Sequence, residues 1–465
     1  MAYVVVDGVV KTCRARDPQH CQYHGEQTPH YTSLQEADHA AEEMASDQHR
    51  YGCQAQEYTM AIPADYDRPI RDLSRVGLPL VVGGAVRDSF LHADNKDIDL
   101  EVYHVDMDDM IAYLKSKDYQ VNEVGKRFGV LKVTGNGVHD LDVAVPRSEN
   151  KVSAGHRGFH VQTDTNMTVP EAASRRDYTI NAMAYDPVRH RLIDPYHGAQ
   201  DMTRHVLRAV GDKFSEDPLR VLRGFQIASR FDLAMDSDTI DMCAGLHSAA
   251  HQLSSERIRE EWKKFYKRSV NPLAGLQVLR STGWDDTAPG LRDALSSRHA
   301  DEQVLRAWST SSSPTIRAAV IGQLMDQHDA HDFYRLTLPD YDTAKVAFRL
   351  SNTHAEDLTR QADRREWSWS NEKRGLNLSM VHDYAKAIGD QRLAAEAALD
   401  HGVIQPLITG DDIMASSSKP AGRWVKNLLD DLRHDQYAGA FHDRESALQA
   451  MQHKLRSAGQ TDPQD

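Results

Sequence analysis

Apolar and polar positions alternate in two different ways along this chain. Around residue 77 a short, continuous apolar run, Leu78-Pro79-Leu80-Val81-Val82, closes on Gly83-Gly84. It predicts a buried strand entering a tight turn. Residues 85–91 then suit a short helix, 97–103 a strand and 106–117 a helix. Residues 130–133 and 139–145 read as strands joined by the hairpin signal Thr134-Gly135-Asn136-Gly137. These elements predict a small mixed sheet flanked by helices. After about residue 204 the pattern is helical almost to the end, as in 217–231, where Leu219, Leu222, Ile227 and Phe231 recur at helical spacing. The run Ser309-Thr310-Ser311-Ser312-Ser313-Pro314 reads as a connection, 423–432 as an amphipathic helix, and the residues from about 457 as a frayed end.

Residues 1–75 differ in character from the rest of the chain. They hold three of the four cysteines, many histidines and one polar, Ala/Glu-rich helical segment at 34–48. They read as a separate extension of unknown role, dispensable for chemistry through about residue 70. Cys13, Cys21, His24 and His30 have the chemistry of zinc ligands, but seven residues separate the two cysteines, a long gap, and solvated Cys and His is the preferred reading.

Composition narrows the function classes. Hydrophobic residues make up 40 % of the 465 and charged residues 27 %, enough for several cores. No run approaches the ~20 apolar residues of a membrane helix. The start, MAYVVVDGVVKTC, lacks a basic segment before an apolar run, so secretion is not expected, and four cysteines do not suggest a disulfide scaffold. A cytoplasmic location is expected. A balance of 55 Lys+Arg against 69 Asp+Glu, net −14, argues against a non-specific nucleic-acid coat but leaves room for a local basic surface.

Three groups of residues carry chemistry. In the first, Gly83 and Gly84 let backbone approach a ligand closely, the following helix presents free N–H groups, and Arg87 adds a fork of donors, an arrangement suited to a triphosphate. Asp97 and Asp99, two apart on a strand, leave one face together while Ile98 and Leu100 point into the sheet. Such carboxylates beside phosphates suit Mg²⁺, and Asp142 supplies a third, the parts of two-metal phosphoryl transfer. Taken singly, Gly-Gly before a helix is only a turn and Asp-x-Asp only a solvated strand face; their conjunction is what matters. The second group is Arg175-Arg176-Asp177-Tyr178-Thr179-Ile180-Asn181, in which Arg176 suits a phosphate and Asp177 a ribose hydroxyl, against the plainer reading of a capped helix start. The third is Glu216-Asp217-Pro218-Leu219-Arg220-Val221-Leu222-Arg223. Asp217 and Arg220 are neighbours on one helix face, against the plainer reading of Asp217 as N-cap and Pro218 as first helical residue.

These residues resemble the class II tRNA nucleotidyltransferases and poly(A) polymerases, above all the bacterial CCA-adding enzymes. The likeness runs from Leu80-Val81-Val82-Gly83-Gly84-Ala85-Val86-Arg87-Asp88 and Asp97-Ile98-Asp99 through Asp142-Val143-Ala144-Val145-Pro146-Arg147-Ser148-Glu149 to Arg175-Arg176-Asp177. It continues with Asp194, Gly198, Asp201 and Arg208, then Glu216 to Arg220 and Ser255-Glu256-Arg257-Ile258, and returns at Pro406 to Met414. The resemblance implies an α+β, polymerase-β-like head at 76–203, then an all-α neck at 204–285, body at 286–400 and tRNA-binding tail at 401–465. It implies Mg²⁺ on Asp97 and Asp99. Nucleotide contacts would come from Gly83, Gly84, Arg87, Asp88, Arg176, Asp177, Asn181 and Arg223, and a protein template for the incoming base from Asp217 and Arg220. The implied reaction is CCA addition to the tRNA acceptor end from CTP and ATP. Poly(A) tailing, CC- or A-only addition and a non-catalytic RNA-binding role stand as alternatives. Two departures are Ala172 and Ala173, where an acidic residue is usual, and Gln226, where an Arg is usual. The pairs His328-Asp329, His331-Asp332 and His382-Asp383 lack the context of the phosphohydrolase site of some relatives, so no such second activity is expected. No feature of the sequence sets an oligomeric state.

Overall fold

In a computed structural model the described residues are 2–6, 9–13, 30–31, 34–91, 98–126, 129–151, 159–296, 298–355, 375–398 and 406–457. They form two compact units, Met1–Gly224 with Leu233–Gln252, and Phe225–Asp232 with Leu253–Asp465. The division falls inside one helix rather than at the 203/204 junction where the helical pattern begins.

The first unit is built on an eight-stranded sheet. In chain order its neighbourhood comprises β1 (Ala2–Val6), β2 (Val9–Cys13), β3 (His30–Tyr31), helix α1 (Leu34–Tyr51), β4 (Ala55–Glu57), α2 (Asp67–Leu73), β5 (Leu78–Val82), α3 (Gly84–Ser89), β6 (Asp99–Tyr103), α4 (Met107–Ser116), β7 (Gln120–Asn122), β8 (Val130–Gly135), β9 (Val138–Ala144), β10 (Arg147–Lys151), β11 (Phe159–Thr163), α5 (Val169–Ala173), β12 (Ala184–Asp186), β13 (Arg191–Ile193), α6 (Gly198–Thr203) and α7 (Leu219–Phe231). The sheet order is β4-β13-β12-β5-β6-β9-β8-β7, and β6–β9 is its one parallel pair. Strands β1–β3 form a separate antiparallel sheet, and β10–β11 a two-stranded ribbon.

The alternation along β5 and β6 sorts side chains between two cores. Val81, Leu100 and Val102 join Val86, Met110, Ile111 and Leu114 of α3 and α4 on one face. Leu78, Leu80, Val82 and Tyr103 join Val169, Ala172 and Ile193 on the other. The β8–β9 turn works as its residues require, with Gly135, Asn136 and Gly137 all at positive φ.

Residues 34–75 are not a detachable extension. Tyr51 is buried in the second core, while Met60, Tyr66, Ile70 and Leu73 are buried in the first. Strand β4 adds an edge to the main sheet through β13. Tyr51 Oη donates to Asp186 Oδ2 at 2.8 Å, and Arg191 Nη2 donates to Asp47 Oδ2 at 2.8 Å. A composition shift marks residues 34–75 off from the rest of the chain, but hydrophobic burial binds them to the main sheet. The side chains of Cys13, Cys21, His24 and His30 lie outside the described residues.

The second unit is helical. Phe225, Trp262, Phe265, Tyr266, Trp308 and Phe333 form a continuous aromatic cluster. The serine run ends helix Arg298–Thr310 and provides Ser313 as N-cap of Pro314–Gly322. Near the C-terminus, helices Gly410–Ala415, Arg423–Ala438 and Arg444–Ser457 enclose a core of Ile408, Ile413, Leu432, Phe441 and Met451. Among the described residues no helix is long and apolar enough to cross a membrane.

Candidate active site

The site begins where β5 ends. Gly83 has φ 71° and ψ −129°, a backbone state that L side chains rarely adopt. A Cβ at Gly83 would lie 3.3 Å from Arg176 Nη1, and one at Gly84 would lie 3.3 Å from Arg87 Nη2. Two guanidinium groups therefore flank the turn, and glycine is what lets them approach.

The carboxylates stand beside it. Asp99 opens β6 and pairs in register with Val82 of β5 and Asp142 of β9. Because β6 and β9 are parallel neighbours, Asp99 and Asp142 leave the same face side by side. Ile98 and Leu100 are buried on the opposite face, as the alternation predicts. Asp97 lies outside the described residues. Asp142 Oδ1 is sealed from solvent and sits 3.0 Å from Lys132 Nζ, which also reaches Asp140 Oδ1 at 2.9 Å. These two carboxylates hold Lys132 firmly protonated. Among the described residues no group of three or more His, Cys, Asp or Glu side chains is placed to hold a metal ion.

A cleft of about 430 Å³ collects Asp99, Glu101, Asp142, Arg175, Arg176 and Arg220 among its lining residues. Of the residues expected from sequence, Asp99, Asp142, Arg176 and Arg220 thus share one cavity. Others form a buried network. Arg87 is 7 % exposed; its Nε donates to Asp88 Oδ1 at 2.7 Å and its Nη1 to Asn181 Oδ1 at 2.5 Å. Asn181 Nδ2 donates in turn to Asp177 Oδ1 at 2.9 Å. The same oxygen accepts from the Tyr178 N–H at 2.8 Å, while Asp177 Oδ2 accepts from Arg223 Nε at 2.6 Å. Burial works to raise the Asp177 pKa, but the Arg223 charge and these donors outweigh it and hold the carboxyl below its ordinary value. Asp88 and Asn181, expected to touch nucleotide, here support Arg87 and Asp177.

Helix α7 carries the third group. Asp217 Oδ1 accepts from the Leu219 N–H at 3.1 Å, as a capping residue does. Arg220 Nη1 and Nη2 donate to the main-chain carbonyls of Lys213 and Arg175, each at 2.6 Å. Each terminal nitrogen keeps a second N–H. The Tyr178 hydroxyl donates to the Arg220 carbonyl at 2.8 Å, and a Cβ on Gly224 would strike that hydroxyl, so Tyr178 sets how closely α7 approaches the 177–181 segment. Asp194 and Asp201, which the resemblance also includes, do structural work: Asp194 accepts from the Gly198 and Ala199 N–H groups at 2.8 and 2.9 Å, and Asp201 accepts from the Thr179 hydroxyl at 2.7 Å.

Two members of the site went unnoticed in the sequence. Glu101 lies on the Asp99 face, and the same alternation that singled out Asp97 and Asp99 reaches it two residues on. Lys132 is placed only by strand pairing, opposite Asp142.

Comparison with known proteins agrees with this geometry. Residues 80–208 match the family described as the poly A polymerase head domain. A multifunctional CCA protein of Psychromonas ingrahamii is 38 % identical over 208 residues, covering 44 % of this chain and 48 % of that protein. The chain thus spans about half the length of the curated relatives it matches. In fold it is similar to the Bacillus stearothermophilus CCA-adding enzyme in complex with CTP, with TM-score 0.60 and 22 % identity over 86 % of this chain and 99 % of that one. The Thermotoga maritima CCA-adding enzyme complexed with tRNA gives TM-score 0.54 and 17 % identity over 85 % and 96 %. The Gly-Gly turn, the carboxylate-bearing strands and the Arg-Arg-Asp segment all lie within residues 80–208, the stretch that is similar to the poly A polymerase head domain.

Proposed function

We propose that the protein is a template-independent nucleotidyltransferase that adds CCA to tRNA 3′ ends from CTP and ATP. The observation that carries this reading is the register pairing of Asp99 with Asp142 beside a glycine turn flanked by Arg87 and Arg176.

The donor set suits a hard divalent cation. Asp99 and Asp142 offer adjacent carboxylate oxygens, and the Asp142 Oδ1, shielded from water, sits against the positive charge of Lys132. Asp97 and Asp99 would hold Mg²⁺, with Asp142 beside Asp99. When bound, such ions lower the pKa of an attacking hydroxyl and neutralise charge on a departing pyrophosphate.

The chain's own residues do the rest. Arg176 and the N–H groups of the turn hold the triphosphate, with Arg87 fixed beneath by Asp88 and Asn181. Asp177 Oδ2 accepts one hydrogen bond from Arg223 and retains a lone pair for a ribose hydroxyl. The primer 3′-oxygen bonds to the α-phosphorus, the α–β bridging bond breaks, pyrophosphate leaves, and the hydroxyl proton passes to solvent. Asp217 and Arg220 choose the base. Cytosine and adenine each present an amino donor beside a ring-nitrogen acceptor, which a carboxylate and a guanidinium match. Guanine and uracil present the reverse pattern and leave polar groups unpaired, at about 1–3 kcal/mol for each.

The test offers purified protein tRNA ending before the first C, at CC and at CCA, with each NTP singly. Two C additions, then one A, and no extension of complete ends are expected. A lengthening A ladder would establish poly(A) tailing instead, and no incorporation would end the enzymatic reading.

A further inference from the structure

Glu101 is a buried carboxylate at the centre of a site meant for phosphates. It is 7 % exposed and lines the cleft on the same sheet face as Asp99. A negative charge there repels a triphosphate, and burying it unpaired is costly. Its partners account for it. The Tyr103 hydroxyl, itself buried, donates to Glu101 Oε2 at 2.9 Å. The same oxygen lies 3.5 Å from Arg176 Nη2. The other terminal nitrogen of Arg176 is the atom poised 3.3 Å from where a Gly83 Cβ would stand. One guanidinium therefore spans from Glu101 to the phosphate turn. Arg87, close to Gly84, is fixed in the same manner by Asp88 and Asn181. Arginine loses rotamer freedom when it grips a ligand, and a carboxylate that fixes the fork beforehand removes part of that cost.

We propose that Glu101 is a positioning residue: pinned by Tyr103, it holds the Arg176 guanidinium over the Gly83 turn in the pose that receives the triphosphate. This rests on the nucleotidyl-transfer reading above. Tethering and bare electrostatics predict opposite signs. Neutralising Glu101 removes a repulsive charge, which by itself tightens nucleotide binding; losing the tether weakens it.

The experiment uses the full chain with Glu101→Gln, which keeps the shape and an acceptor for Tyr103, and with Arg176→Lys and the double variant. KM and kcat for CTP and ATP are measured on truncated tRNA, and equilibrium binding of ATP is measured by calorimetry, with unfolding midpoints as a folding control. Glu101→Gln should raise KM and the ATP Kd together by about five- to tenfold, with kcat nearly unchanged. Added to Arg176→Lys, it should have no further effect, because the tethered group is already gone. Unchanged or tighter ATP binding would overturn the proposal. So would a fall in kcat at constant KM, which would place Glu101 among the groups that act on the reacting atoms. Independent, multiplying effects of Glu101→Gln and Arg176→Lys would overturn it too. If the wild type incorporates no nucleotide at all, the transferase reading fails, and ATP binding still decides the role of Glu101.

Discussion

Asp177→Asn tests the network beneath the site most sharply, because it changes a charge and almost no volume. Asp177 is 6 % exposed and accepts three hydrogen bonds: two on Oδ1, from Tyr178 N and Asn181 Nδ2, and one on Oδ2, from Arg223. Asparagine has one oxygen and one NH₂. If the oxygen stays with Tyr178 and Asn181, the NH₂ opposes the Arg223 donor. If the amide flips, both other donors face an NH₂. Asn181 cannot turn to relieve this, since its own oxygen holds Arg87. The less costly choice forfeits one charge-assisted bond, about 1.5–3 kcal/mol. Arg223 is 38 % exposed and regains some water, which reduces the cost to about 1–2 kcal/mol. The sign with pH follows from the depressed carboxyl pKa. The charged form is favoured by folding, so its contribution is complete above the unfolded value near ~4 and is lost as pH falls toward the lower folded value. Urea unfolding of both proteins from pH 7 to pH 3 should show a constant gap down to about pH 4 and a narrowing gap below. A gap of the same size at pH 3 would refute the charge argument. The same variant should lose selectivity for ribose over deoxyribose triphosphates by about tenfold.

Asp99→Ala should abolish nucleotide incorporation while changing unfolding free energy by less than about 1 kcal/mol, since Asp99 is exposed and next to a like charge; normal turnover by a folded variant would sink the carboxylate assignment. Deleting residues 1–75 should leave the head unable to fold, because five buried side chains, Tyr51, Met60, Tyr66, Ile70 and Leu73, each contribute about 1.5–3 kcal/mol of burial; a soluble, cooperatively melting fragment would contradict this. Asp217→Asn keeps an oxygen for the Leu219 N–H but loses the charge, whereas Asp217→Ala loses both. Template action predicts that both variants admit G or U in single-NTP incorporation assays, and a cap alone predicts that only Asp217→Ala destabilises, by about 1 kcal/mol, with base choice intact.

What could be read from the sequence depended on how far each interaction reaches along the chain. Alternation acts over two residues, so the facing of Asp99 against Ile98 and Leu100 was legible, and so was the Gly135-Asn136-Gly137 turn. The side-by-side register of Asp99 and Asp142 was not, although both were expected in one site, because it joins strands more than 40 residues apart. Strand β4 has three residues, too few to show a period, so a boundary drawn from cysteine and histidine content cut through a sheet that its backbone completes. The finest division was the least visible. Asp88, Asn181, Arg87 and Arg176 share the polar chemistry expected at a phosphate site, yet the first three are buried in one hydrogen-bonded network and, of the four, Arg176 lines the cleft. Arg220 makes the same point from the other side: helical spacing puts it next to Asp217, but the carbonyls of Lys213 and of Arg175, 45 residues away, hold its guanidinium. If Arg220 reads the base as proposed, its guanidinium is oriented before the nucleotide arrives, and Lys213 and Arg175, whose carbonyls hold it, share in the choice without touching the base.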